Sequence, residues 1–321
     1  MTARQDRLID LLRLLKGVGY GFVTPGNDTH RRVVWRRRLA GRGLARDLRD
    51  VFGWSLPFRP AAVGPEIFEA MAAAGILVRR GAVWRSALRV AGLDGTLFWH
   101  SAWPATERDA VFFGPDSYRF ADFVRTELPA GPGRIADIGT GSGVGAIVAA
   151  LARPGARVAA SDLNRAALDL ARANAAAAGV GIALAQGPGL AAMDGEFDAV
   201  IANPPFFAGR GGRLYRDGGG DLGMEVALAW AEEAAGRLAP GGRLLLYSGA
   251  PVVAGVDRLR EALERRLAGL TLHYREIDPD IFGGLLGHPR YWGVERIAAV
   301  GLVAERKVRD GAGHGAAGTY L

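Results

Sequence analysis

Between residues 134 and 305 short apolar runs alternate with helical patterns, and this rhythm constrains the fold more than any other feature. RIADIG precedes a helical stretch at 143–152, RVAASD one at 165–178, and IALAQG with FDAVIANPPFF one at 223–238. RLLLYSG, a helical stretch at 256–268, LTLHYREI and RIAAVGLVAE complete the series. Strands and helices alternating at this spacing predict an α/β, doubly wound, Rossmann-like sheet. Ligands of such sheets bind in the crevice outside the carboxyl ends of the strands. The strand ends are therefore where chemistry is sought.

Three strand ends stand out. The first carries Asp137-Ile138-Gly139-Thr140-Gly141-Ser142-Gly143 and opens a helix. Its glycines allow a tight turn and close approach of backbone to a ligand. It departs from the dinucleotide fingerprint, because Val144 stands where that pattern needs its last glycine. Asp137 can accept hydrogen bonds from an ammonium group or from the loop's own amides. The second strand end, Ser161-Asp162-Leu163-Asn164, lies 19 residues beyond Gly143. An acid there suits the two hydroxyls of a ribose; Asp162 or Asn164 could equally cap the following helix. The third end is Asn203-Pro204-Pro205-Phe206-Phe207. Two prolines remove two backbone donors and hold the chain extended. The Asn203 side chain and the carbonyls of Asn203 or Pro204 are left to grip both hydrogens of a planar amino group, on which Phe206 can stack.

In this order the three motifs resemble class I S-adenosylmethionine-dependent methyltransferases over about residues 108–305. They resemble the amino-methylating branch with an (Asn/Asp/Ser)-Pro-Pro-(Tyr/Phe) motif. That branch holds release-factor glutamine N5-methyltransferases, adenine-N6 methyltransferases and guanine-N2 methyltransferases. The resemblance implies S-adenosylmethionine as cofactor. Gly139, Thr140, Gly141 and Gly143 would pass under its methionine part, with Asp137 near its amino group. Asp162 would bind the ribose and Leu163 pack on adenine. Asn203 and Pro204 would hold the acceptor amine, with Asn203 also facing the donor, and Phe206 would stack on it. Pro205, Phe207 and Tyr215 would extend the acceptor surface. Phe113-Gly114-Pro115-Asp116-Ser117-Tyr118 occupies the place of a cofactor-covering segment. Many relatives carry Gln-Gly-Asp after the third strand, where this chain has Gln186-Gly187-Pro188. Adenine must then be read by backbone groups or by a side chain such as Gln186.

Residues 1–105 differ in character. A helical pattern at 5–16, an arginine-rich stretch at 31–51, a helix opened by Pro65, and strands with turns at Arg80-Gly81 and Leu93-Asp94-Gly95 predict a helical, winged-helix-like accessory domain. The catalytic domain is expected at 106–310, with a loose Gly/Ala-rich tail at 311–321. The formal charge is +7, and residues 1–59 alone carry 13 Arg or Lys against five Asp. This basic region reads either as a solvated helix face or as a patch for RNA, DNA or an acidic partner. Apart from Lys16 and Lys307 every basic side chain is arginine, which a GC-rich genome would favour.

Cysteine is absent, which excludes disulfides, thiolate nucleophiles and cysteine-ligated zinc. The five histidines show no ligand spacing, so no metal is expected. No apolar run is long enough to span a bilayer and the N-terminus lacks a signal-peptide core. A bacterial, cytoplasmic protein is the expectation. The acceptor is expected to be a protein glutamine side chain. An adenine or guanine amine in RNA or DNA is the alternative, and a small-molecule amine also remains open. A non-catalytic winged-helix binding protein with a degenerate cofactor fold is the reading from another class.

Overall fold

The computed structural model describes residues 2–131, 133–208, 217–220, 222–281 and 283–308. The chain opens on α1 (Ala3–Gly17), whose start is fixed by a reciprocal cap: the Thr2 hydroxyl accepts from the Gln5 amide at 3.3 Å, and the Gln5 side chain accepts from the Thr2 amide at 2.9 Å. α2 (Asn27–Leu39) and α3 (Pro65–Ala73) follow, the latter with proline in its first turn. The arginine-rich stretch read as helical is α-helix only to Leu39, with one π turn at Arg49–Gly53. Two antiparallel hairpins come next. β1 (Leu77–Arg80) pairs with β2 (Val83–Ser86), and β3 (Leu88–Leu93) pairs with β4 (Thr96–Ser101).

The large sheet uses β5 (Arg134–Ile138), β6 (Arg157–Asp162), β7 (Ala183–Gln186), β8 (Phe197–Ala202), β9 (Leu238–Val253), β10 (Val256–Asp257), β11 (Thr271–Asp278) and β12 (Arg296–Glu305). The helices between are α4 (Pro115–Glu127), α5 (Val144–Ala152), α6 (Arg165–Ala178), α7 (Glu225–Ala235) and α8 (Arg258–Arg266). The order is β11-β12-β9-β8-β5-β6-β7, with β10 hydrogen-bonded to β9. Strands β9, β8, β5, β6 and β7 run parallel, and β12 lies antiparallel between β9 and β11. The order reverses beside β5, so the tips of β5, β6 and β8 converge on one crevice.

Alternate residues of the central strands enter different cores, as the two-residue period of a strand requires. Ile135, Ala199, Ile201, Leu245 and Tyr247 pack with Phe120 and Phe123 of α4 and Ile147 of α5. Ala136, Ile138, Val200, Leu244 and Leu246 pack with Ala231 of α7 and Leu263 of α8. A third core lies outside the sheet. There Leu8, Leu12, Phe52 and Trp99 of the N-terminal region close on Ala167, Leu170 and Ala173 of α6. The helix predicted at 223–238 is shorter, because it ends at Ala235 and β9 already begins at Leu238. Among the described residues no helix is long and apolar enough to cross a membrane.

Candidate active site

The glycine turn leaves β5 with Gly139, Gly141 and Gly143 all at positive φ (66°, 55° and 87°), a region that glycine enters without a Cβ penalty. Asp137 is buried at the root of this turn. Its Oδ2 accepts from the Thr140 hydroxyl at 2.6 Å and from the Ala146 amide at 2.9 Å. Burial pushes the carboxyl up to about 7, against the pull of those two hydrogen bonds. α5 can come this close because residue 145 is glycine: a Cβ there would lie 2.8 Å from the Phe120 ring and 2.9 Å from Asp137 Oδ1.

Asp162 ties the tip of β6 to the same turn. Its Oδ2 accepts from the Gly141 amide at 2.9 Å and its Oδ1 from the Asn164 amide at 2.8 Å. Burial raises its pKa, and hydrogen bonds to the carboxylate oppose the rise. A carboxylate has about four lone-pair sites, so these two bonds leave it able to accept from hydroxyls as well. The cap of α6 falls to Asn164, whose Oδ1 accepts from the Ala166 amide at 3.0 Å. Its Nδ2 donates to the Asp109 carbonyl at 2.7 Å, fastening the strap that leads from β4 to α4. Leu163 beside it is 58% exposed on the cavity rim.

The double-proline corner follows β8. Asn203 and Pro205 line the cavity. Pro204 is buried behind them. Among the described residues no hydrogen bond engages the Asn203 side chain. Phe206 differs from its expected place. It is buried in the sheet core, with its ring stacked on Phe207 at 5.1 Å and pressed against Gly249, where a Cβ would come within 2.4 Å of it. The ring fills the space that the missing Gly249 side chain leaves over β9, so it supports the corner from beneath. The corner is clamped from outside too. The Ala208 amide donates to Tyr291 Oη at 2.7 Å, and the Gly218 amide donates to the Phe207 carbonyl at 2.9 Å.

These strand ends share one cavity of about 1020 Å³. Of the residues singled out in the sequence, Asp137, Gly139, Thr140, Gly141, Asp162, Leu163, Asn203 and Pro205 lie on it. Gly143, Pro204, Phe206 and Phe207 do not line it. Gly143 instead lets α5 approach α6, since a Cβ there would meet Ala171 and Ile147 at 3.2 Å. Tyr215 lies outside the described residues, as does the tail at 311–321. Ser117 of the covering segment lines the cavity, whereas Asp116 turns into the core and accepts from Tyr247 Oη at 2.9 Å. Pro188 lines the cavity between Gly187 and Gly189, while Gln186 is exposed, with its Nε2 near the Leu163 carbonyl at 3.5 Å.

Sequence reasoning missed Gly145, Trp230 and the strap side chains Arg108 and Phe112, all of which line the cavity. Trp230 lies against Gly139, where a Cβ would sit 2.3 Å from the indole. A tryptophan in a helix carries no signal of this in sequence. Only the packing of α7 across the tip of β5 creates it.

A reversed parallel sheet with this glycine turn, an acid at the next strand tip and Asn-Pro-Pro-Phe beyond defines the class I methyltransferase architecture, and residues 121–254 match the family model Methyltransferase small domain. The release factor glutamine methyltransferase of Deinococcus radiodurans is 36% identical over 172 residues, covering 50% of this chain and 56% of that protein. Its counterpart from Cereibacter sphaeroides is 32% identical over 247 residues, covering 70% of this chain and 86% of that protein. The chain belongs to the release factor glutamine methyltransferase family. It spans less than two thirds of the length of some of these relatives, 56% and 64% in the Deinococcus and Neisseria gonorrhoeae proteins. A Pyrococcus horikoshii protein of solved structure, 12% identical, superimposes with a TM-score of 0.50 over 75% of this chain and 82% of its own, a likeness of fold.

The family's cofactor, S-adenosylmethionine, suits the residues present. Two carboxylates stand where an ammonium and a ribose need acceptors. At Gly139 and Gly141 the turn has no side chain to fill the floor, and Leu163 offers an apolar rim. The volume lies at the upper end of the range of about 300–1,000 Å³ usual for a small-molecule site.

Proposed function

We propose that this chain methylates the side-chain amide of a glutamine in a release-factor-like protein. The observation that carries the reading is Asn203: a side-chain amide without a hydrogen-bond partner among the described residues, seated beside Pro205 on the wall of the cavity that also holds the glycine turn. S-adenosylmethionine supplies an electrophilic methyl group on a sulfonium, so the protein needs mainly to position and to stabilise charge. Asp137, Gly139, Thr140 and Gly141 hold its amino-acid end, and Asp162 with Leu163 its nucleoside. Pro188, between two glycines, leaves adenine to be read by backbone groups of 187–189.

An amide nitrogen is a poor nucleophile because its lone pair is delocalised into the carbonyl. The Asn203 Oδ1 accepts from one of its hydrogens, and the Pro204 carbonyl, which lies behind the cavity wall, accepts from the other as the acceptor settles against the corner, turning the lone pair toward the methyl. The same acceptors disperse the positive charge that grows on nitrogen. Alignment of this kind is worth about 7–11 kcal/mol of barrier. No histidine or thiol is needed, and the released proton passes to water. Phe206 and Phe207 support the corner, and Pro205 flanks the acceptor. The chain divides into an accessory region at 1–105 and a catalytic region at 106–310.

The similarity to release factor glutamine methyltransferases favours a protein acceptor over a nucleobase amine. The test is methyl transfer from tritiated cofactor into a lysate lacking this protein. Label that survives nuclease, is lost with protease and maps to glutamine supports the reading. Label lost with nuclease rejects it.

A further inference from the structure

The exposed side of α2 bears a feature that methyl transfer does not use. Residues 29–46 hold seven arginines and no acid. Arg31 pairs with Asp28 at 2.9 Å, and Arg37 donates to the buried Asp50. Arg32, Arg36 and Arg38 have no acidic partner among the described residues. Between them Trp35 is 61% exposed and Leu39 69%. Residues 32, 35, 36 and 39 follow the helical i, i+3, i+4, i+7 spacing, so they form one stripe with the aromatic ring set among the guanidinium groups.

A second element extends the charge. The β1–β2 hairpin carries Arg79, Arg80 and Arg85, and residues 77–89 contain no acid. Arg85 donates to the Ser55 carbonyl at 3.1 Å, and the Arg37 guanidinium of α2 lies 5.3 Å from the ring centre of the adjoining Trp54, so the hairpin and the end of α2 rest on one segment. In keeping with that, burial first and then the positive charges of Arg38 and Arg80 hold Arg85 below the ordinary guanidinium range. Concentrating like charges without counter-charges works against the folded state. An incoming polyanion relieves that repulsion.

We infer that the α2 stripe and the β1–β2 hairpin form a docking surface for single-stranded RNA, with phosphates on Arg32, Arg36, Arg38 and Arg80 and a base stacked on Trp35. Charge alone would suit an acidic protein as well. The exposed indole between arginines is what selects nucleic acid, because every base has a face to stack and an acidic peptide does not. A duplex hides those faces, and unpaired strands are the usual form in which RNA is read by proteins. The surface is independent of which amine is methylated.

The test is fluorescence anisotropy of a labelled oligoadenylate of about a dozen nucleotides with the full chain, across a range of salt. Arg32→Glu/Arg36→Glu/Arg38→Glu should weaken binding more than about tenfold and lower the slope of log K against log salt by about 2. Trp35→Ala should weaken binding while leaving the salt slope unchanged. Reversing Arg258, Arg260 and Arg265 on α8, an equal change in net charge, should leave binding as it was. Melting curves confirm that each variant is folded. The proposal fails if the oligonucleotide does not bind, if the α2 and α8 variants lose affinity equally, or if polyglutamate competes as well as unlabelled oligoadenylate.

Discussion

Asn174 hydrogen-bonds both main-chain polar groups of Trp99: its Oδ1 accepts from the Trp99 amide at 2.8 Å, and its Nδ2 donates to the Trp99 carbonyl at 3.1 Å. The same Nδ2 reaches the Ser142 carbonyl at 2.8 Å. One fully buried side chain on α6 thus stitches the N-terminal region to the glycine turn. In Asn174→Ala these main-chain groups lose their partner in a dry interior. Loss of about 1–3 kcal/mol of unfolding free energy is expected, read from urea denaturation. Unchanged stability would mean that water replaces the amide.

Asp137 sets a pH dependence whose sign follows from burial. The folded protein keeps its proton up to about 7, whereas the unfolded chain releases it in the ordinary carboxyl range. Its contribution to stability is full below that range and is lost as pH rises toward 7. The slope is at most about 1.4 kcal/mol per pH unit. Asp137→Asn does not titrate, so in the absence of cofactor the variant should gain on the parent between about pH 5 and pH 7. A stability difference that stays constant over that interval would count against the raised pKa.

Asn203→Ala tests the acceptor clamp. Turnover should fall roughly 10²- to 10³-fold, as when a donor or acceptor is removed from a charge-stabilising site. Cofactor affinity by calorimetry should hardly move. Equal losses in both would make Asn203 a cofactor ligand instead.

Asp162→Ala should act on the other side of the cavity. In the proposed role of Asp162 it removes the acceptor for two ribose hydroxyls, and it also frees the Gly141 amide. Cofactor binding should weaken by about 1–3 kcal/mol. A dissociation constant equal to that of the parent would reject the ribose assignment.

Gly145→Ala tests close packing rather than chemistry. The added methyl would meet the Phe120 ring and the Asp137 carboxylate, both under 3.0 Å away and both buried. Overpacking at such a point costs about 1–3 kcal/mol. Wild-type melting behaviour would show that α5 can retreat.

The elements most legible in sequence were those whose ends are written locally. α6 runs over the residues predicted, because Asn164 caps it and Gly179 terminates it at positive φ. The glycine turn, Asp162 and Asn203 were legible because residue types and order together specify them. Phe206 was not: whether an aromatic after Pro-Pro turns outward or inward depends on Gly249, a residue of a neighbouring strand. Asn174 sat unnoticed in an alanine-rich helix, since its three partners lie 32 or more residues away in the chain. The start of α7 was misplaced by two residues. Gly223 lies outside the helix, pressed against the backbone of Phe206 and Phe207, where a Cβ would come within 2.6 Å.

The core shared between the N-terminal region and α6 makes the methyltransferase half hard to isolate. Cutting the chain near residue 105 would strip the cover from Ala167, Leu170 and Ala173 and orphan Asn174. That helix is capped by Asn164, which anchors the strap beside Asp162 at the cavity. A truncated protein should therefore be sticky and poor at retaining its cofactor.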